Sequence, residues 1–182
     1  MKEIIEVMNH QRHDWLNHIQ VLLGYLKLEK YEMCEEYIRK ITADANRDTL
    51  VSRLEYLPLV AYLLSFNALH NNVRIEVEIP APFSLLTLEE GPRIGDFILS
   101  VVKLYQQHAL YNNGESNTLL LTLHCEDGAL RVVADFAGEL DAEKSTLALD
   151  KMRTQAQEWG ADALLTPHTA SESVLECLFP LS

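Results

Sequence analysis

The chain has few of the residues that break or cross-link regular structure: 7 Gly, 6 Pro and 3 Cys among 182 residues. Cys34, Cys125 and Cys177 are odd in number, far apart and without a CxxC pair. This spacing excludes a disulfide framework and does not fit a zinc site. The thiols instead indicate a buried role in a reducing compartment. We therefore expect a cytoplasmic protein.

Positive charge is also scarce, because 15 Lys and Arg stand against 27 Asp and Glu, for a formal net charge of −12. Nucleic-acid binding needs clustered basic side chains, so this balance argues against it and against an anionic membrane surface. The longest apolar run, at 57–66, is about half as long as a membrane-spanning helix. The first six residues include two acids, which is not typical of a signal peptide. We expect no nucleic acid and no membrane among the partners.

Residues 1–56 contain no Pro and a single Gly, and their apolar residues recur at helical spacing. The pattern predicts one helix over residues 4–28, a short turn at 29–32, and a second periodic run over 34–45. A hairpin of two amphipathic helices cannot enclose a core alone. We therefore expect two copies to form a four-helix bundle with a two-fold axis, that is, a homodimer.

From residue 57 onward the pattern changes to alternating helices and strands. The sequence predicts an α+β domain at 57–182, with a largely antiparallel sheet and helices on one face. The first predicted elements are a helix from Pro58 to about His70, a strand at 73–79, a helix that Pro92 opens and that runs from Ile94 to Ala109, and a loop at 112–117. They are followed by a hairpin turning at Asp127–Gly128, a helix capped by Asp141 and ended by Gly160, and a last strand at 174–179.

His13 carries the most specific chemistry in the chain, because an acid follows it directly and an amide lies one helical turn further on. An imidazole that accepts a phosphoryl group needs one unprotonated nitrogen, with the other held as an N–H donor. Asp14 could accept that N–H, as the orienting acid does in a catalytic triad. Asn17 could bond the phosphoryl oxygens or a partner, and Arg12 could offset phosphoryl charge.

A polar or small stripe surrounds His13 on the helix and is expected to face a partner: His10, Asn17, Gln20 and Gly24. Other interpretations stay open at this point. A helical surface histidine is most often only solvated, Arg12 falls on the apolar seam and could be a buried register residue, and Gly24 could mark a tight helix crossing. A metal is disfavoured because His18 is rotated away from His10 and His13.

The block from Arg12 to Gln20, continued by Gly24–Leu28 and Tyr31, resembles the sporulation initiation phosphotransferases of endospore-forming bacteria, which are phosphorelay histidine phosphotransferases. It is also similar to the phosphoacceptor hairpin of citrate- and malate-sensing histidine kinases. The close match covers roughly residues 9–45.

The resemblance implies a dimeric four-helix bundle followed by a domain shaped like a kinase ATP-binding domain that has lost its nucleotide. It implies that His13 takes a phosphoryl group from the aspartate of a single-domain response regulator. His13 then passes the group to a second regulator, the sporulation transcription factor. No cofactor or metal would be bound by this chain, and Mg²⁺ would lie in the acidic pocket of the receiver partner.

The second domain lacks the residues by which such kinases hold ATP. The predicted helix from Ile94 to Ala109 has no Asn, since Asn112 and Asn113 lie beyond it, and Asp135–Glu139 offers a single Gly, which is typical of a strand end and turn. Two alternatives remain: an ATP-dependent histidine kinase core, and a module that docks response regulators without accepting phosphate.

Overall fold

The computed structural model describes residues 2–110, 117–126 and 128–181. It begins with two long helices, α1 (Lys2–Lys27) and α2 (Tyr31–Ser52). The turn between them is tight, with Glu29 at a φ of 57°. The predicted hairpin is therefore confirmed, although α2 already begins inside the predicted turn and runs beyond Ala45.

A third helix, α3 (Leu57–Leu69), begins with Pro58 in its first turn, where the missing N–H of proline costs nothing. Both α1 and α2 contact α3. The backbone N–H of Leu85 also donates to the carbonyl of Leu54 at 3.0 Å. These contacts hold the hairpin against the rest of the chain. The boundary at 56/57 remains a prediction.

The remainder is an α+β unit around a five-stranded sheet, with strand order β1-β2-β3-β5-β4. The first pair is parallel and the other pairs are antiparallel, as the predicted "largely antiparallel" sheet requires. The elements are β1 (Val73–Glu78), a 3₁₀ turn (Leu85–Thr87), α4 (Gly91–His108), β2 (Asn117–Glu126), β3 (Ala129–Ala137), α5 (Ala142–Glu158), β4 (Asp162–His168) and β5 (Glu172–Pro180).

The core of this unit lies between the sheet and its helices. On β2 the alternate residues Leu119, Leu121 and Leu123 are fully buried, whereas the residues between them are half-buried. Helices α4 and α5 contact the strands, so the helices cover one face as predicted. The predicted cap is also present, because the Asp141 side chain accepts from the backbone N–H of Lys144.

Two local features differ from the prediction, because strand β4 was not predicted and Asn117 begins β2 instead of ending a loop. Helix α4 starts at Gly91, one residue before the predicted opening at Pro92. Position 91 requires glycine, because a Cβ there would lie 1.7 Å from the carbonyl oxygen of Leu85. The predicted loop at 112–116 and Asp127 of the predicted turn lie outside the described residues. No helix in the described ranges is long and apolar enough to cross a membrane.

Candidate functional site

His13 lies in the middle of α1 with 74% of its side chain exposed. Its Nδ1 is 3.1 Å from Nδ2 of Asn17, one helical turn further on. An amide nitrogen can only donate, so Nδ1 accepts and the neutral ring carries its hydrogen on Nε2. Within the described residues Nε2 has no hydrogen-bond partner. It is therefore the ring nitrogen that an incoming molecule can reach.

Asp14, the predicted orienting acid, is close to His13 but hydrogen-bonded elsewhere. Its Oδ1 is 3.7 Å from His13 Nδ1, which is longer than a hydrogen bond. Its Oδ2 is 2.9 Å from Nδ1 of His10. The sequence pattern predicts His10 only on a partner-facing stripe, so its pairing with Asp14 was not predicted. The spacing of four residues between His10 and Asp14 was the available signal.

The other predicted site residues lie on the same helix without touching the imidazole of His13. The guanidinium of Arg12 donates to Oδ1 of Asn9 at 3.0 Å. A Cβ added at Gly24 would meet nothing within 4 Å, so Gly24 does not mark a tight crossing inside this chain. Gln20 is exposed. The roles predicted for these residues stay predictions.

His18 belongs to the hairpin interior and not to the reactive face. Its Nδ1 is 2.9 Å from the hydroxyl of Tyr37 on α2, and the edge of its ring faces Trp15 at 6.0 Å. The three histidines of α1 therefore do not converge. Within the described ranges, no group of His, Cys, Asp and Glu is arranged to hold a metal ion.

A cleft of about 710 Å³ separates the hairpin from the second domain. His10, Asp14 and Asn17 line one side of it, and the opposite side is formed by α3 and β1. The wall from the second domain includes Asn67, His70, Asn71, Asn72, Arg74 and Glu76. These residues lie far from His13 in sequence, so only the fold reveals that they share a cleft with its neighbours.

His70 is one of two cleft residues, with Asp48, whose pKa is shifted by burial. Its ring lies 4.7 Å from that of Phe66 and 6.0 Å from that of Tyr62, measured between centroids. Burial among these groups lowers the pKa of His70, because the charged imidazolium loses hydration. His70 therefore tends to be neutral where it faces the cleft.

The apolar seam of α1 is open in the single chain. Leu16 is 54% exposed, Ile19 49% and Leu23 50%. Ile5, Met8 and Leu26 are exposed along the same helix. An exposed row of large apolar side chains of this length marks an interaction surface.

The fold of this chain is similar to that of a solved histidine kinase domain. The histidine kinase domain of the blue-light-activated histidine kinase EL346 from Erythrobacter litoralis superposes with a TM-score of 0.50 at 20% identity. The match covers 69% of this chain and 60% of that structure. At this identity the match shows the fold alone.

A more specific similarity comes from the amino-acid sequence. Residues 1–54 match the family model described as the sensor kinase SpoOB-type, alpha-helical domain. Sporulation initiation phosphotransferase B of Bacillus subtilis (strain 168) is 26% identical over 174 residues, which cover 96% of this chain and 88% of that protein. The resemblance predicted from the motif around His13 is thereby confirmed.

Proposed function

We propose that the protein is a phosphorelay phosphotransferase that carries a phosphoryl group on His13 and controls the initiation of sporulation. One observation carries the proposal: His13 is exposed on a hairpin of the SpoOB type, with Nε2 open and Nδ1 in contact with Asn17. The similarity to sporulation initiation phosphotransferase B over nearly the whole chain supports the same activity.

The chemical step needs little more than positioning. The Nε2 lone pair attacks the phosphorus of an aspartyl phosphate on a response regulator, and the P–O bond to the regulator's carboxylate breaks. That carboxylate leaves with the electron pair. The N–P bond forms in line with the departing oxygen.

The imidazole must hold its proton on Nδ1 during this attack, and Oδ1 of Asp14 at 3.7 Å is the carboxylate oxygen in place to accept that N–H. Transfer to the aspartate of a second regulator reverses the same steps. Mg²⁺ belongs to the acidic pocket of the regulator, so this chain supplies no cofactor.

We further propose that transfer proceeds without ATP. Helix α4, which corresponds to the helix that holds Mg²⁺ and phosphates in the kinases, has no Asn in Gly91–His108. Residues 138–141 alone connect β3 to α5. So short a connection leaves little chain to cover a nucleotide.

The homodimer is a further part of the proposal, and a second copy of the chain is the occupant that best fits the exposed seam. The seam follows the core-facing repeat of a four-helix bundle. It lies beside the stripe that carries His13 and does not include it, so dimerisation leaves the imidazole open. Two response regulators, one as donor and one as acceptor, would then bind the polar stripe in turn.

The dimer can be tested by light scattering with a variant on the seam and a matched control. The chain has a mass of 20.7 kDa, and we expect twice that mass for the natural protein. Leu16→Glu puts a charge into the seam and should give a monomer. Leu147→Glu, at a residue of α5 that is 67% exposed, should leave the dimer intact. A natural protein that stays monomeric at high concentration would contradict the proposal.

The proposed function is tested with a purified, phosphorylated single-domain receiver that is free of ATP. We expect alkali-stable, acid-labile phosphate on the natural protein and on Gln11→Ala, an exposed neighbour of the motif, but none on His13→Ala. Labelling from ATP alone would make the protein a histidine kinase. Labelling from neither donor, with receiver binding retained, would make it a docking module. We also propose that this protein is cytoplasmic, because the receivers act in the cytoplasm.

A further inference from the structure

The carboxylate of Asp14 lies between two imidazoles. Oδ2 is 2.9 Å from Nδ1 of His10, and Oδ1 is 3.7 Å from Nδ1 of His13. An ionised carboxylate has no hydrogen to donate, so Nδ1 of His10 must carry the proton of this hydrogen bond. His10 therefore donates to one oxygen of the acid whose other oxygen faces the phosphoacceptor.

We infer that His10 is a positioning residue, which holds the Asp14 carboxylate in the orientation that lets it serve His13. This inference rests on the proposed function. Asp14 and His10 each have 48% of their side chains exposed, so an unheld carboxylate would rotate freely in solvent. With Oδ2 fixed by His10, Oδ1 stays directed toward His13.

This orientation matters because the resting imidazole carries its hydrogen on the wrong nitrogen for attack. In the structure Nδ1 of His13 accepts from Asn17 at 3.1 Å, which leaves the hydrogen on Nε2. Attack through Nε2 requires the other tautomer, which forms when Nε2 releases its hydrogen to solvent and Nδ1 takes one from solvent. The new Nδ1–H then needs an acceptor. A shortening of the 3.7 Å separation by about 1 Å brings Oδ1 of Asp14 into hydrogen-bond range of Nδ1.

The charge on the His13 ring changes during phosphoryl transfer, and His10 assists the carboxylate that stabilises this charge. As Nε2 bonds to phosphorus and the regulator's carboxylate leaves with its electron pair, the ring gains positive charge and keeps its proton on Nδ1. Asp14 accepts that N–H and stabilises the charge without taking the proton. His10 only donates to Oδ2 throughout, so it contacts neither the phosphoryl group nor the reacting nitrogen.

The other charged groups near Asp14 do not take the place of His10. The basic side chains that line the same cleft are paired with their own neighbours, Arg47 with Asp44 and Arg74 with Glu76. Among the described residues, His10 and His13 are the only groups in ion-pair range of Asp14. The remaining titratable groups of the cleft, from α1, α2 and the end of α3, are His18, Tyr37, Asp48 and His70.

The test measures the rate at which His13 becomes phosphorylated by two donors. Phosphoramidate is a small donor that needs no docking surface, and a saturating phosphorylated receiver in single turnover is the second. The variants are His10→Ala, which removes the donor, and His10→Asn, whose amide nitrogen takes the place of Nδ1. Gln11→Ala is the matched exposed control. Each substitution is also made in an Asp14→Ala background.

We expect His10→Ala to slow labelling by about threefold to tenfold with both donors, because its hydrogen bond to Asp14 is half-exposed and acts on the reaction only through the carboxylate. His10→Asn should recover most of the rate, and Gln11→Ala should match the natural protein. In the Asp14→Ala background His10→Ala should have no further effect, because the two residues act as one unit.

Three results would overturn the inference. An unchanged or faster rate of His10→Ala with phosphoramidate would mean that His10 does not assist Asp14. A loss seen only with the receiver would make His10 a docking contact. An equal loss with and without Asp14 would mean that His10 acts by another route. Failure of the proposed function is distinct, because the natural protein would then accept no phosphate on His13 from the receiver.

Discussion

Replacement of Ser173 by Ala would remove the centre of a buried hydrogen-bond network that joins the helices of the second domain to its sheet. The Ser173 hydroxyl is 3.0 Å from the hydroxyl of Tyr105 on α4 and 3.0 Å from Nδ1 of His168 on β4. Nε2 of His168 is in turn 2.9 Å from Thr146 on α5. Tyr105 and Ser173 are both fully buried, and burial raises the pKa of Tyr105.

The expected loss in the free energy of unfolding follows from the groups that lose a hydrogen-bond partner. Ser173→Ala leaves the Tyr105 hydroxyl buried without its partner, which costs about 1–3 kcal/mol, and also removes the bond to the half-buried His168. We expect a total loss of about 2–4 kcal/mol. Tyr105→Phe should cost only about 1 kcal/mol, because Ser173 keeps His168 and the ring still stacks on Phe136 at 5.4 Å.

Urea unfolding followed by circular dichroism, at one fixed chain concentration, measures these losses. The control Ser52→Ala removes a hydroxyl from the exposed face of α2 and should change the free energy of unfolding by less than about 0.5 kcal/mol. The double variant Tyr105→Phe/Ser173→Ala should cost at least about 1 kcal/mol less than the sum of the single variants. Strict additivity, or a Ser173→Ala cost equal to that of the control, would refute the reasoning.

Four other substitutions have directions fixed by the structure. Gly91→Ala should destabilise the protein by about 2–3 kcal/mol, because its Cβ would lie 1.7 Å from the Leu85 carbonyl oxygen. Gly24→Ala, with nothing within 4 Å of the added Cβ, should stabilise α1 by about 1 kcal/mol, and thermal melts measure both changes. Tyr37→Phe removes the bond to His18 and should cost about 1 kcal/mol in urea, and no loss would mean that this bond does not hold α1 to α2. The lowered pKa of His70 means that the unfolded chain binds more protons than the folded chain. The contribution of His70 to stability is therefore present above the ordinary histidine pKa of about 6.5 and is lost as the pH falls through the folded pKa. His70→Gln should reduce the change of the urea midpoint between pH 7.5 and 5.5. An unchanged pH dependence of the midpoint would contradict this role of His70.

The sequence predicted the elements whose signals are local. The hairpin around Gly128, the cap at Asp141 and the end of α5 at Gly160 each follow from a few adjacent residues, and each is present. Strand β4 was not predicted because it is an edge strand in which buried and exposed residues alternate only weakly. Leu164 is 58% exposed, and Pro167 interrupts the pairing of the strand. The parallel pairing of β1 with β2 depends on the long connection through α4, which no local pattern specifies.

The candidate site was also predicted only in part, where its signals are local in the sequence. Spacing alone placed His13, Asp14 and Asn17 on one region of a helix, and the contact of His13 with Asn17 has the distance expected one turn apart. Spacing could not decide which imidazole Asp14 would bind, because His10 and His13 both lie within reach of its carboxylate. The wall of the cleft opposite, with His70 and Arg74, arises only when α3 and β1 fold against the hairpin.

His13, the proposed phosphoacceptor, lies on the least buried helix among the described residues, and this placement would couple the proposed chemistry to association. From Ile4 to Lys27 no residue is buried, whereas the helices of the second domain have fully buried residues such as Ile98 and Leu149. A helix gains most of its stability from tertiary packing, so α1 depends on whatever covers its seam. A partner that binds only the ordered helix stabilises it by mass action. Disruption of the seam by Leu16→Glu should therefore lower the labelling of His13 as well as the mass, although Leu16 contacts no part of the proposed reaction.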